Sequence, residues 1–156
     1  MSALPQSNPR LLAMSLADLD EVVAIEVQVY EAPWSRGNFV DSLAAAYEAH
    51  VLRGADGALW AYLLAMPGVD EMHLLNLTVS PTQQGRGLAR VMLDALCDVS
   101  RRHGAAQLWL EVRVSNERAR QLYGRYGFAE ISVRRGYYPT ALGRREDAVV
   151  MSLNLS

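Results

Sequence analysis

The heptapeptide Gln84-Gly85-Arg86-Gly87-Leu88-Ala89-Arg90 joins two patterned stretches. Before it, His73-Leu74-Leu75-Asn76-Leu77-Thr78-Val79 reads as a largely buried strand; after it, apolar residues at Leu88, Val91, Met92, Ala95, Leu96 and Val99 recur at helical spacing. A glycine loop between strand and helix suits an anionic ligand such as a phosphate. The first turn of a helix offers backbone N–H groups without internal partners, and the helix dipole places partial positive charge there. Gly85 and Gly87 lack a Cβ, so backbone or ligand can approach closely, and Arg86 and Arg90 add charge. Tight turns use the same glycines, so the loop alone leaves a purely structural turn open. Two phosphate loops are excluded by residue type. A Walker loop needs a lysine after its last glycine and this chain has no lysine; a dinucleotide fingerprint starting at Gly85 needs a small residue where Arg90 stands.

Other residues carry reactive or ligating groups. Glu111, in the alternating run Gln107-Leu108-Trp109-Leu110-Glu111-Val112, can accept a proton. Arg113 lies two residues on, and therefore on the same strand face, so an ion pair is the competing role. Tyr123 can donate a proton, or it can pack, since it shares a helical face with Ala119, Leu122 and Tyr126. Asn116 opens that helix and by position alone is a cap. Cys97 is the only cysteine, so no internal disulfide forms, and no adjacent histidine activates its thiol. His50, His73 and His103 are scattered without ligand spacing, and no metal site is expected.

The elements that must position these groups follow from pattern. Residues 1–9, with two prolines, two serines and an asparagine, read as a loose tail. Arg10-Leu11-Leu12-Ala13-Met14 forms an edge-like strand, and Ser15-Leu16-Ala17-Asp18 matches a capping box before a helix bearing Leu19, Val22, Val23, Ile25, Glu26 and Val29. That helix should end near residues 30–33. Ser35 caps a second short helix with Phe39, Val40 and Leu43 facing inward. Residues 47–52 and 59–66 flank Gly54-Ala55-Asp56-Gly57 as an antiparallel hairpin. The central helix closes with Arg101, Arg102 and His103 before Gly104, a charge and cap pattern of a C-terminus. The strand at 107–112, reached through a crossover helix, should run parallel to the strand at 73–79. A helix over 116–126 and closing strands over 128–133 and 148–153, joined by a loop at 135–140, complete one domain over residues 10–156.

With 156 residues and a net charge of -2, the chain is one domain's length of ordinary globular composition, and the charge argues against a binder dominated by nucleic-acid phosphates. No apolar run spans a bilayer and the N-terminus lacks a signal pattern, so a cytoplasmic protein without membrane partners is expected. Nothing in the sequence specifies an oligomer.

Gln84-Gly85-Arg86-Gly87-Leu88-Ala89 resembles the Q-x-x-G-x-G/A signature of the GNAT superfamily of N-acetyltransferases. Trp109-Leu110-Glu111-Val112-Arg113, Asn116 with Ala119, Leu122-Tyr123, Tyr126-Gly127-Phe128, Tyr137-Tyr138-Pro139 followed by Arg145-Glu146-Asp147-Ala148, and Pro33-Trp34-Ser35 with Phe39 resemble its RimI branch over residues 11–153. Ala89 departs from the glycine many members carry, which the pattern permits. The resemblance implies a mixed α/β (α+β) fold, a mostly antiparallel sheet flanked by helices with a parallel, splayed strand pair at the cofactor site. It also implies transfer of acetyl from acetyl-CoA to a protein N-terminal α-amine, the type case being the N-terminal alanine of a small-subunit ribosomal protein. By the same resemblance Glu111 takes the general-base position and Tyr123 the general-acid position. Leu77, Thr78 and Val79 take the strand edge that holds acetyl and pantetheine, residues 84–90 the pyrophosphate loop, and Asn116 a side-chain contact to the cofactor. For Glu111 to serve near neutral pH, burial is expected to raise its pKa. Glu26, Glu31, Asp70 and Glu146 are candidates for an acidic rim facing a basic peptide, and the loops of Trp34 and of Tyr137-Tyr138 for the walls of the amine groove. A small-amine acetyltransferase acting on a polyamine or antibiotic, and a non-catalytic acyl-CoA-binding module, are the alternatives.

Overall fold

Alternation of apolar residues builds a seven-stranded sheet among the described residues, 9–156 of a computed structural model, so residues 1–8 of the expected tail lie outside the description. The strands are β1 (Arg10–Ala13), β2 (Glu48–Arg53), β3 (Leu59–Gly68), β4 (Glu71–Val79), β5 (Gln107–Arg113), β6 (Ala129–Pro139) and β7 (Arg145–Asn154). The helices are α1 (Leu19–Val29), α2 (Arg36–Ala44), α3 (Leu88–Arg102) and α4 (Glu117–Tyr126). Hydrogen bonding orders the strands β1-β2-β3-β4-β5-β7-β6. The expected parallel pair is present, with β4 against β5 from Glu71 opposite Gln107 to Leu74 opposite Leu110. The β1–β2, β2–β3, β5–β7 and β6–β7 pairs are antiparallel.

The chain divides into two compact units. One extends to Ala65 and resumes over Asn76–Asp94; the other comprises Met66–Leu75 and Ala95–Ser156. The boundaries therefore fall within β3, within β4 and within α3.

In the first unit α1 and α2 bury Leu19, Val22 and Phe39 with Val51, Tyr62 and Leu64 of β2 and β3. Ser15 N–H donates to Asp18 Oδ2 at 2.8 Å, closing the expected box at a short 3-10 turn ahead of α1. At α2, Ser35 Oγ accepts from Asn38 N at 3.1 Å, as a cap should. Phe39 faces inward as expected and Ser42 joins it, whereas Val40, also expected inside, is exposed.

Glu26 differs most from expectation. Counted by spacing among the apolar residues of α1 and as a candidate for the acidic rim, it is buried to 1 % exposure as a hydrogen-bonding hub. Trp34 N–H donates to its Oε2 at 2.9 Å, and Tyr62 Oη–H and Asn76 Nδ2–H donate to Oε1 at 2.7 and 3.0 Å. Thr78 donates to Asn76 Oδ1 at 2.7 Å, and the Tyr30 hydroxyl lies 2.7 Å from Thr78 Oγ1 and 3.2 Å from Leu77 O. Burial pushes the Tyr30 phenol up to about 12, and burial beside Glu26 raises Tyr62 as well. A carboxylate leaves water only where donors replace it, and here three do. Glu26→Ala strands those donors, at a cost on the order of 3 kcal/mol and a fall of about 10 °C in Tm. Thermal unfolding checks this; an unchanged Tm would leave the network without a structural role.

In the second unit, β6 and β7 run longer than the sequence suggests. The expected loop at 135–140 is strand as far as Pro139, with a register shift between Arg134 and Tyr138. Polar partners hold this irregular stretch. Gly136 N–H donates to Asp147 Oδ1 at 2.8 Å, and Arg145 Nη2 donates to Tyr137 O at 3.0 Å. Asn116 caps α4, its Oδ1 accepting from Ala119 N at 3.1 Å, and Tyr123 packs edge-on to Phe128 with ring centroids 5.5 Å apart.

Candidate active site

The phosphate-type loop belongs to the first unit. After a 3-10 turn at Pro81–Gln83, the backbone passes through Gly85 at φ +80° and Gly87 at φ +74° before α3 begins at Leu88. These left-handed conformations are why glycine stands at both places. Val91 N–H donates to Gly87 O at 3.3 Å, so Gly87 carries the carbonyl that starts the helix. The N–H groups of Leu88 and Ala89 belong to the first turn, where helix geometry supplies no preceding carbonyl. Gln84 Nε2 donates to Val79 O at 3.4 Å, tying the loop to the end of β4. Arg86 bonds Gln83 and lays its guanidinium over the Trp60 ring, 4.6 Å from the centroid. That indole fits because Gly54 lies beneath it, where a Cβ would come within 2.5 Å of the ring. Open space at Gly85 and Gly87, a helix amino end and a cation fit a diphosphate, with Leu77, Thr78 and Val79 in the same unit. Of these three, Thr78 is buried and the Leu77 carbonyl already faces Tyr30. Gly87→Ala adds a methyl with nothing within 4 Å of it, so its effect comes from the backbone alone. We expect coenzyme A affinity to fall by about five- to thirtyfold, from the roughly 1–2 kcal/mol that a left-handed alanine costs. Calorimetry with coenzyme A checks this, and unaltered affinity would place the diphosphate elsewhere.

Glu111, Asn116 and Tyr123 lie in the second unit. Strand register explains the surroundings of Glu111. His73 sits directly opposite Trp109 across the parallel pair, and the two rings stack with centroids 3.6 Å apart and planes 9° from parallel. Trp109 Nε1 is held by Glu71. Glu111, two residues beyond Trp109, shares that face and meets His73 Nε2 at 2.7 Å from its Oε1. On the other side Val150 of β7 lies between Glu111 and Ser132 of β6, and the longer side chain of Arg134, two residues on, reaches across to Glu111 Oε2.

This arrangement corrects two expectations. The arginine that pairs with Glu111 is Arg134; Arg113 binds Glu146 at 3.2 Å and lies over the Tyr138 ring. Burial does push the Glu111 carboxyl up, its side chain being 4 % exposed, but the His73 hydrogen bond and the Arg134 guanidinium outweigh burial and hold it below the usual carboxylate range. Glu146 also accepts from Ser115 N at 2.8 Å, and Glu26, being buried, leaves the acidic rim expected from the sequence. Tyr137, under the Arg134 guanidinium at 4.4 Å, has its phenol raised by burial and by the Glu111 charge. Sequence reading missed His73 and Arg134 as parts of the site. The sequence signal was a histidine, His73, on a largely buried strand, and its partner becomes visible only once the register is known.

A hollow of about 450 Å3 in the first unit is lined by Trp34, Asn38, Asp41, Ser42, Ala45 and Tyr47. Among the described residues no helix is long and apolar enough to cross a membrane.

Residues 19–128 match the acetyltransferase (GNAT) family. The chain is 38 % identical over 144 residues to the [ribosomal protein bS18]-alanine N-acetyltransferase of Escherichia coli (strain K12), covering 92 % of this chain and 96 % of that one. The crystal structure of the ribosomal-protein-S18-alanine N-acetyltransferase from Escherichia coli superposes with a TM-score of 0.85 at 37 % identity, over 95 % of this chain and 94 % of the other. A spermidine/spermine N-acetyltransferase from Vibrio cholerae shares the fold, with a TM-score of 0.77 at 22 % identity over 95 % and 93 % of the two chains. With most of its length matched both to the family and to enzymes within it, the chain is a member of the GNAT family of acetyltransferases.

Proposed function

We propose that this enzyme transfers acetyl from acetyl-CoA to the N-terminal alanine of ribosomal protein bS18, acting in the cytoplasm as one catalytic domain over residues 10–156. The observation that carries the acceptor is the 38 % identity, over 92 % of the chain, to a bS18-alanine N-acetyltransferase. Acetyl-CoA supplies an activated thioester. The first-turn amides of α3, with residues 84–90, hold its diphosphate, the β4 edge at Leu77, Thr78 and Val79 holds the acetyl and pantetheine portion, and Asn116 adds a side-chain contact.

An α-amine with a reference pKa near 8 is roughly one-tenth neutral at pH 7, so the attacking nitrogen needs little help to become a nucleophile. As its bond to the acetyl carbon forms, that nitrogen becomes far more acidic, and the Glu111 carboxylate takes the proton although its own pKa is low. Backbone N–H groups of β4 steady the oxyanion. The carbon–sulfur bond then breaks, and Tyr123 gives its proton to the departing thiolate.

The test is mass spectrometry after incubation with acetyl-CoA and an Ala-starting peptide of bS18, run beside spermidine. Acetylation of the peptide α-amine is expected. Modification of spermidine alone would assign the enzyme to small amines, and coenzyme A binding with no transfer to any amine would make it a binding module.

A further inference from the structure

His73 is given no role by the reaction as described, yet its position is costly. It is 8 % exposed, and its Nδ1 is buried with no hydrogen-bond partner among the described residues. A buried polar atom left bare costs free energy, so such a site needs an explanation. The rest of the ring supplies one. Its face lies flat on Trp109, whose indole is itself held by Glu71, and its other nitrogen, Nε2, is aimed at Glu111 Oε1 at 2.7 Å. With Nδ1 bare and Nε2 facing a carboxylate, the arrangement favours the tautomer that carries its proton on Nε2.

We propose that His73 is a positioning residue for acetyl transfer: its Nε2–H fixes one oxygen of Glu111 from β4 while Arg134 fixes the other from β6. The carboxylate then meets the amine in one orientation, using the lone pairs the two donors leave. The proposal rests on Glu111 being the base.

The groups that face Glu111 are few. His73 approaches from β4, and Arg134 with Tyr137 from β6, with Tyr138 farther along the same strand. Arg113, on the strand of Glu111 itself, is bound to Glu146 of β7. Removing the His73 donor leaves burial opposed by Arg134 alone, so the Glu111 pKa should rise. Activity requires the ionised carboxylate, so the acid limb of the rate profile should move to higher pH.

The experiment compares the full-length enzyme with His73→Leu and His73→Gln, using acetyl-CoA and the Ala-starting peptide. For His73→Leu we expect the Glu111 acid limb of kcat, which lies below the neutral region, to move up by about one pH unit, with up to about a tenfold loss on its acid side and little change near pH 7. Coenzyme A affinity by calorimetry should stay within about twofold, because the diphosphate loop is untouched. His73→Gln, whose amide N–H can donate to the same oxygen, should restore most of the wild-type profile. A folded His73→Leu enzyme whose profile superimposes on the wild type overturns the proposal.

Nitrogen-15 NMR of the wild-type imidazole gives a reading that needs neither variant. A proton on Nε2 between about pH 6 and 8 is expected, and a bare Nε2 would end the idea. A wild type inactive toward every amine sinks the reading of Glu111 and this proposal together; an active wild type with an indifferent His73→Leu sinks the proposal alone.

Discussion

Glu111→Gln is expected to lower kcat by about 10²-fold or more while coenzyme A affinity stays unchanged, since a positioned general base contributes roughly 10²–10⁴-fold. Glutamine is the informative replacement. Its carbonyl can still accept from His73 or Arg134, so the cluster is retained and only the proton acceptor is lost. The pH dependence separates this enzyme from one with a tuned, high-pKa carboxylate. With Glu111 held below the usual carboxylate range, it is ionised throughout the neutral region and places no limb there. The wild-type rate should therefore climb with pH through the amine's own titration near pH 8. The same direction fixes the stability effect. The fold favours the ionised form, so the contribution is complete above the unfolded pKa of about 4.3 and is lost as pH falls through the lower folded value. Wild type should lose more stability than Glu111→Gln on acidification. A variant with full turnover and an unaltered profile would remove Glu111 as the base.

What could be read from the chain and what could not divide along one physical line. Local rules found the cap at Ser35, the cap at Asn116, the glycine-bounded hairpin and the positive-φ loop before α3, because each depends on residues within a few positions. Contacts set by strand register were not legible. Nothing at position 111 announces that a histidine 38 residues earlier lies diagonally across a parallel pair, or that Ala148 and Val150 leave room for Arg134 to reach over β7. Spacing along a single strand nominated Arg113 for lack of this information. Glu26 failed for a related reason. A charged residue at a helical core position is ordinarily out of place, and only the convergence of Trp34, Tyr62 and Asn76 makes burial tolerable there. The same register that hid His73 also undid the expectation of a raised Glu111 pKa, since burial acted alone in the sequence argument and against two donors in the fold.

Tyr123→Phe should lower kcat by about 10²-fold, at the smaller end for general acid catalysis, because a thiolate whose conjugate acid has a pKa near 8.5 departs with modest assistance. The substitution isolates the hydroxyl. Phenylalanine keeps the ring that packs edge-on against Phe128 at 5.5 Å, so Tm should change little and the Michaelis constant for acetyl-CoA should hold. A thioester built on a more acidic thiol needs less protonation as it leaves, and it should therefore recover much of the lost rate in the variant while gaining little in the wild type. If Tyr123→Phe retained full turnover with acetyl-CoA, the tyrosine would be assigned to packing beside Phe128 and the thiolate would have to take its proton from solvent. If instead both thioesters slowed equally, the hydroxyl would be acting before the carbon–sulfur bond breaks, in placing the thioester for attack.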